Sequence, residues 1–149
     1  MQNHNMKKNT SELENILENA ASFGDFAAEM DEEFLAAEVA QDLAELISAR
    51  HVKKRELFME ANINETYGYE ILSGKRYPSR EVLLSLFLSL HLSVDEVNRF
   101  FRTHGFAPLY VRKKFDAAVI YSLKHGWSVM QCNELLYENG LPLLRKETT

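Results

Sequence analysis

An all-helical fold is predicted by three features of the sequence. Glycine and proline are scarce, six and three in 149 residues. No stretch alternates apolar and polar residues as a half-buried strand does. Apolar residues recur instead at helical spacing, between serine caps and single glycines. An apolar fraction of 46% with 11% aromatics supplies a real core, for one compact domain or a small domain with extensions.

The elements follow in order from their ends. Residues 1–10, MQNHNMKKNT, hold no apolar segment and are expected to be disordered. Ser11-x-x-Glu14, Ser93-x-x-Glu96 and Ser128-x-x-Gln131 read as capping boxes, in which side chain and backbone satisfy each other's free amides. Gly24, Gly74, Gly105, Gly126 and Gly140 fall where helices would stop. The helices expected are 11–22, 26–49, 53–61, 65–73, 79–91, 94–104, 112–125 and 129–139. In the second, Phe26, Met30, Phe34, Leu35, Val39, Leu43 and Leu46 form a stripe, while Glu29, Glu32, Glu38, Asp42 and Glu45 occupy most of the rest. That stripe suits core packing on or beside the rest of the chain, or a homodimer seam, and periodicity alone leaves both open. The 79–91 helix, with Leu83, Leu84, Leu86, Phe87 and Leu90, is apolar nearly all round and belongs at the centre of the core. In the C-terminal pair, spanning 108–149, Phe115, Val119, Ile120 and Leu123 face inward on one helix, and Val129, Cys132, Leu135 and Leu136 on the other. Leu141, Leu143 and Leu144 are expected to fold back on the body, away from water.

The net charge of −5 is unevenly spread. Residues 1–49 carry two Lys and eleven acids; residues 50–115 carry twelve Lys/Arg and seven acids; residues 116–149 carry three and four. A positive central segment between acidic ones is what phosphate contact needs, whatever the total. Arg112-Lys113-Lys114 either extends that surface or is a solvated face. No apolar run approaches the ~18 residues of a membrane span, so a cytoplasmic protein with no membrane partner is expected. The single cysteine, Cys132, rules out an intramolecular disulfide and fits a reducing compartment. Catalysis has no motif behind it: the five histidines include no i, i+4 metal pair, Cys132 lacks a CxxC companion, and there is no GxSxG, HExxH or phosphate-cradling glycine loop. Neither an enzyme nor a metal or cofactor site is expected.

Residues 53–97 carry the order of parts that points to a job. Two short helices meet at Asn62-Ile63, Ile71 follows nine residues after Asn62, Gly74-Lys75-Arg76 comes three residues later, and a Leu-rich helix succeeds Pro78. This arrangement resembles the lambda-repressor-like, or Xre, helix-turn-helix family, whose order is a Leu-Ala pair, a Gly-Val turn, an Ile nine residues on, Gly-Lys-Arg, a Pro and a Leu-rich helix. The match covers about 45 residues strongly and about 60 in all. Asn62 stands where the family has glycine, which is acceptable because Asn tolerates a left-handed backbone. Phe58 stands where Ala is usual and Gly68 where Ile or Val is usual, so a small-large contact becomes large-small with its volume conserved.

The resemblance implies a lambda-repressor-like helix-turn-helix bundle over 50–107, with acidic helices over 11–49 and the helical pair 108–149 as extensions. It also implies a recognition helix from about Asn64 to Ser73, with base contacts from Asn64, Glu65, Thr66, Tyr67 and Glu70. By residue type, Asn64 pairs with adenine, Thr66 touches a thymine methyl, and Glu65 or Glu70 accepts from the cytosine amino group. Phosphate contacts are expected from Lys53, Lys54, Lys75, Arg76 and Arg80. The function so implied is a sequence-specific transcriptional regulator binding double-stranded DNA, as a dimer on two half-sites. The alternative is a non-catalytic protein-interaction module on the same scaffold. Its acidic recognition helix, with Tyr67 and Tyr69, its acidic N-terminal helices or its C-terminal helices would then meet a toxin, a kinase or another regulator.

Overall fold

The computed structural model describes residues 9–144, and within them every regular element is helical. The helices are α1 (Thr10–Asn19), α2 (Phe23–Glu29), α3 (Asp31–Ala49), α4 (Lys54–Glu60), α5 (Glu65–Leu72), α6 (Arg80–Ser89), α7 (Val94–Thr103), α8 (Lys114–Lys124) and α9 (Val129–Glu138). The expected disorder over 1–10 falls mostly on residues outside the described ones; Asn9 and Thr10 are described, and they open α1.

From α4 onward the expected boundaries hold to within two residues. Ser93 and Ser128 form two of the three expected capping boxes, with Glu96 and Gln131. The N-terminal region differs. Asn9, not Ser11, caps α1, its Oδ1 accepting from the Glu12 amide at 2.9 Å. The helix expected over 26–49 is two helices. Ser22 starts α2 by accepting from the Asp25 amide at 3.0 Å, which puts Gly24 in the first turn rather than past a helix end. The backbone breaks at Met30, φ −101° and ψ 12°, and Asp31, Glu32 and Glu33 then open α3, where acids complement the positive end of the helix dipole. The apolar period runs through this corner: Phe26 before it, Met30 at it and Ala36 beyond it are all buried.

Helix α6 is the centre of the molecule. Leu83, Leu84, Leu86, Phe87, Leu88 and Leu90 are all buried, and α4, α8 and α9 pack around it. Its two buried serines do not leave polar atoms stranded: Ser85 Oγ donates to the Glu81 carbonyl and Ser89 Oγ to the Ser85 carbonyl. Helix α3 lies against α5 and sends Val39, Leu43 and Ile47 into the same core. One contiguous apolar cluster runs from Val39 to Leu144, so the 50–107 segment shares its interior with the helices on either side. Phe34 and Leu35, counted with the α3 stripe, remain exposed.

The C-terminal end does fold back. Leu144 is buried, clamped by Asn133, whose Nδ2 donates to the Leu144 carbonyl at 2.9 Å and whose Oδ1 accepts from the Leu144 amide at 2.8 Å.

Asn62 occupies the left-handed region, φ 57°. Its side chain is exposed, so conformation rather than packing selects the residue. Asn62→Ala is therefore expected to cost roughly 1–2 kcal/mol, while Asn62→Gly is neutral or slightly stabilising; thermal unfolding of the pair measures it, and equal losses would mean the side chain itself matters.

Candidate nucleic-acid interface

Helices α4 and α5 meet through a four-residue turn, 61–64, in which the first three backbone amides donate back to α4. The Asn62 amide donates to the Met59 carbonyl at 3.1 Å and the Ile63 amide to the Phe58 carbonyl at 2.9 Å. Ile63 and Ala61 are buried beneath the turn, and Asn64 then caps α5 through Oδ1, which accepts from the Tyr67 amide at 3.1 Å. Phe58 fills the space that Gly68 leaves: a Cβ built on Gly68 would lie 2.7 Å from two carbons of the Phe58 ring. The contact of a large residue with a small one expected from the sequence is thus present, and Phe58 also meets Tyr69 edge-on at 5.1 Å.

The expected base-contacting residues divide. Glu65 and Thr66 are exposed on α5, and with Tyr69 and Ser73 they form one solvent face at helical spacing. Tyr67 is only 5% exposed and belongs to the core, so it does not reach a base. Position on the helix decides this, since residues three and four apart share a face and Tyr67 falls on that of Ile71 and Gly68. Asn64 has its amide oxygen committed to the cap, which competes with the bidentate use that adenine recognition requires. Glu70 is half-buried and holds Arg76, Nε to Oε1 at 3.2 Å.

The phosphate set divides as well. Lys53, Lys54 and Lys75 are exposed, and their side chains engage no carboxylate or other hydrogen-bond partner among the described residues. Arg76 is buried against Glu70, with its guanidinium 5.8 Å from the centre of the Tyr67 ring. Arg80 makes two 3.0 Å bonds to the Asp116 carboxylate, donates to the carbonyls of Ala107 and Pro108, and lies over the Phe101 ring. Both arginines are structural, tying the chain after α5 to the body, and neither is available to a phosphate. A sequence pattern records the charge of a side chain but not the carboxylate that folding brings to it.

One cation was overlooked. Arg55, third in the Lys53-Lys54-Arg55 run, has 76% of its side chain exposed, and its Nε sits 3.9 Å from Glu65 at the start of α5. At that exposure and distance the pair is a loose one. The unbroken Lys53-Lys54-Arg55 run is the signal for it in the sequence.

Beyond α5, Tyr77 stacks on Phe106 at 5.6 Å, and burial, with the negative charge of Glu32, pushes its hydroxyl pKa up. Cys132 is buried, and burial raises its thiol pKa, partly offset by a hydrogen bond with Ser122. No three or more His, Cys, Asp or Glu side chains among the described residues are grouped so that they could hold a metal ion. No helix there is long and apolar enough to cross a membrane. No protein-family model, curated protein or solved structure matches the chain.

Proposed function

We propose that this chain is a non-catalytic, sequence-specific DNA-binding regulator of transcription that works in the cytoplasm and lays α5 in the major groove. The observation that carries the reading is the solvent face of α5, bordered by Arg55 and accompanied by three lysines without partners among the described residues. Thr66 and Tyr69 supply apolar and hydroxyl contacts to base edges there, and Glu65 accepts from a cytosine amino group. Lys53, Lys54, Arg55 and Lys75 take the phosphates, which position the helix without reading sequence. Their placement supports this: Lys53 caps α4 and Lys54 and Arg55 open it, where positive charge opposes the helix dipole and weakens the helix. Three cations at that end add nothing to the helix's own stability and are free to meet an anion.

Binding to pooled random duplexes tests it. Four phosphate contacts give a log–log salt slope of roughly −3.5, and Lys75→Ala is expected to reduce it by about 0.9. Lys53/Lys54/Arg55/Lys75→Ala, which touches no buried group, should abolish recovery while leaving the fold intact. Failure to recover any duplex from the wild-type chain even at low salt ends the reading.

A second reading has its own support. The presented face of α5 bears no cation, and Met59 on the neighbouring α4 is 71% exposed. An apolar and acidic surface of that kind suits a protein partner, and Met59→Ser together with Tyr69→Ser would then abolish capture of that partner while leaving any DNA slope unchanged.

A further inference from the structure

The N-terminal arm carries an apolar face that the described residues leave open. Helix α1 buries none of its residues and packs chiefly against α2. Leu13, Ile16 and Leu17 line one side of it, and Phe23, at the start of α2, is 70% exposed. Around them stand Glu12, Glu14, Glu18 and Asp25, all exposed. No Lys or Arg occurs from residue 9 to residue 49. An exposed apolar stripe rimmed by one sign of charge is an interaction surface in want of a complementary one.

The complement lies on the same chain. Between α7 and α8, Tyr110 and Val111 are 52% and 66% exposed, and exposed Arg112, Lys113 and Lys114 follow them directly. No acid occurs between Glu96 and Asp116. Asp116 itself is buried, with its carboxylate taken by Arg80 and by the Tyr110 amide. The patch is therefore apolar and positive, with one exposed acid, Glu81, sharing a surface pocket with Lys113. The other basic run, Lys53 to Arg55, is accompanied by exposed Glu56, Glu60 and Glu65 and makes a poorer seat for an acidic helix.

We propose that two copies of this chain form a reciprocal dimer in which the α1–α2 arm of each docks on the Tyr110–Lys114 surface of the other. Each protomer then gives one arm and receives one, the contact is made twice, and the assembly closes on a two-fold axis. Leu17 and Phe23 against Tyr110 and Val111 supply the apolar burial, and the charges set partner and register. None of this depends on DNA.

Sedimentation equilibrium with charge reversal decides it. The wild-type chain is expected to dimerise, with its dissociation constant rising about tenfold or more between low and high salt. Glu14→Lys/Glu18→Lys places like charges at both contacts and yields a monomer; so does Arg112→Glu/Lys114→Glu. Mixing these two variants makes both contacts complementary again, and a heterodimer is expected. Phe23→Ser, which changes no charge, weakens association without altering the salt dependence. All five positions are exposed, and an unchanged far-ultraviolet circular dichroism spectrum verifies folding. A monomeric wild-type chain, variants that dimerise as the wild type does, or a folded mixture that stays monomeric would each overturn the proposal.

Discussion

Asp116→Ala is expected to destabilise the protein by about 3–5 kcal/mol, because it leaves a half-buried guanidinium without its carboxylate. Asp116 is 2% exposed. Its two oxygens hold Arg80 at 3.0 Å each, and one of them also accepts from the Tyr110 amide at 2.9 Å. The loss therefore reaches both the start of α6, the central helix, and the loop that leads into α8. Asp116→Asn keeps the shape and one hydrogen bond and is expected to cost less, about 1.5–3 kcal/mol.

The pH dependence has a definite sign. Burial by itself raises the Asp116 pKa, but the hydrogen bonds from Arg80 and the Tyr110 amide, with the charges of Arg80 and Lys113, outweigh it and hold the carboxyl below its ordinary 3.8. A carboxyl depressed in the folded state contributes stability that is complete above its unfolded pKa and is lost as pH falls through the folded value. Urea midpoints of wild type and Asp116→Asn should thus be well separated at neutral pH and converge below about pH 4. A gap that stays constant down to the acid transition would mean that the ion pair is not its source.

Gly68→Ala is expected to destabilise by about 1–3 kcal/mol, opposite in sign to the gain of about 1 kcal/mol that the same change gives in an unobstructed helix interior. Its new Cβ would sit 2.7 Å from the ring carbons of Phe58, and Phe58 is itself fully buried and cannot swing aside. Phe58→Ala alone should cost about 3–5 kcal/mol through the cavity it leaves. Combined as Phe58→Ala/Gly68→Ile, the exchange restores the opposite division of the same volume and should lose less than the sum of the single losses by about 2 kcal/mol or more. Strict additivity in a denaturant double-mutant cycle would show that the two positions do not share one space.

How far the sequence could be read differs along the chain. From residue 50 onward the helix ends are set locally: Ser93 and Ser128 cap through side chains three residues from their partners, and Asn62 and Gly74 take the left-handed backbone their residue types allow. Interactions spanning three or four residues are visible in sequence. The α2–α3 corner was not, because no glycine or proline marks it; a buried methionine makes the turn, and what stabilises the bend is packing on both of its sides.

The candidate interface separates the same way. Sequence by itself determined the all-helical class, the order of helices around Asn62, the volume exchange between Phe58 and Gly68, and the charge asymmetry between residues 1–49 and 50–115, since each depends on residue type at short spacing. Only tertiary structure decided which cations and which α5 side chains face water. Arg80 is claimed by a carboxylate 36 residues away, Arg76 by Glu70 across the end of α5, and Tyr67 by the core. A charge is a local property, whereas its availability depends on every group the fold brings within reach.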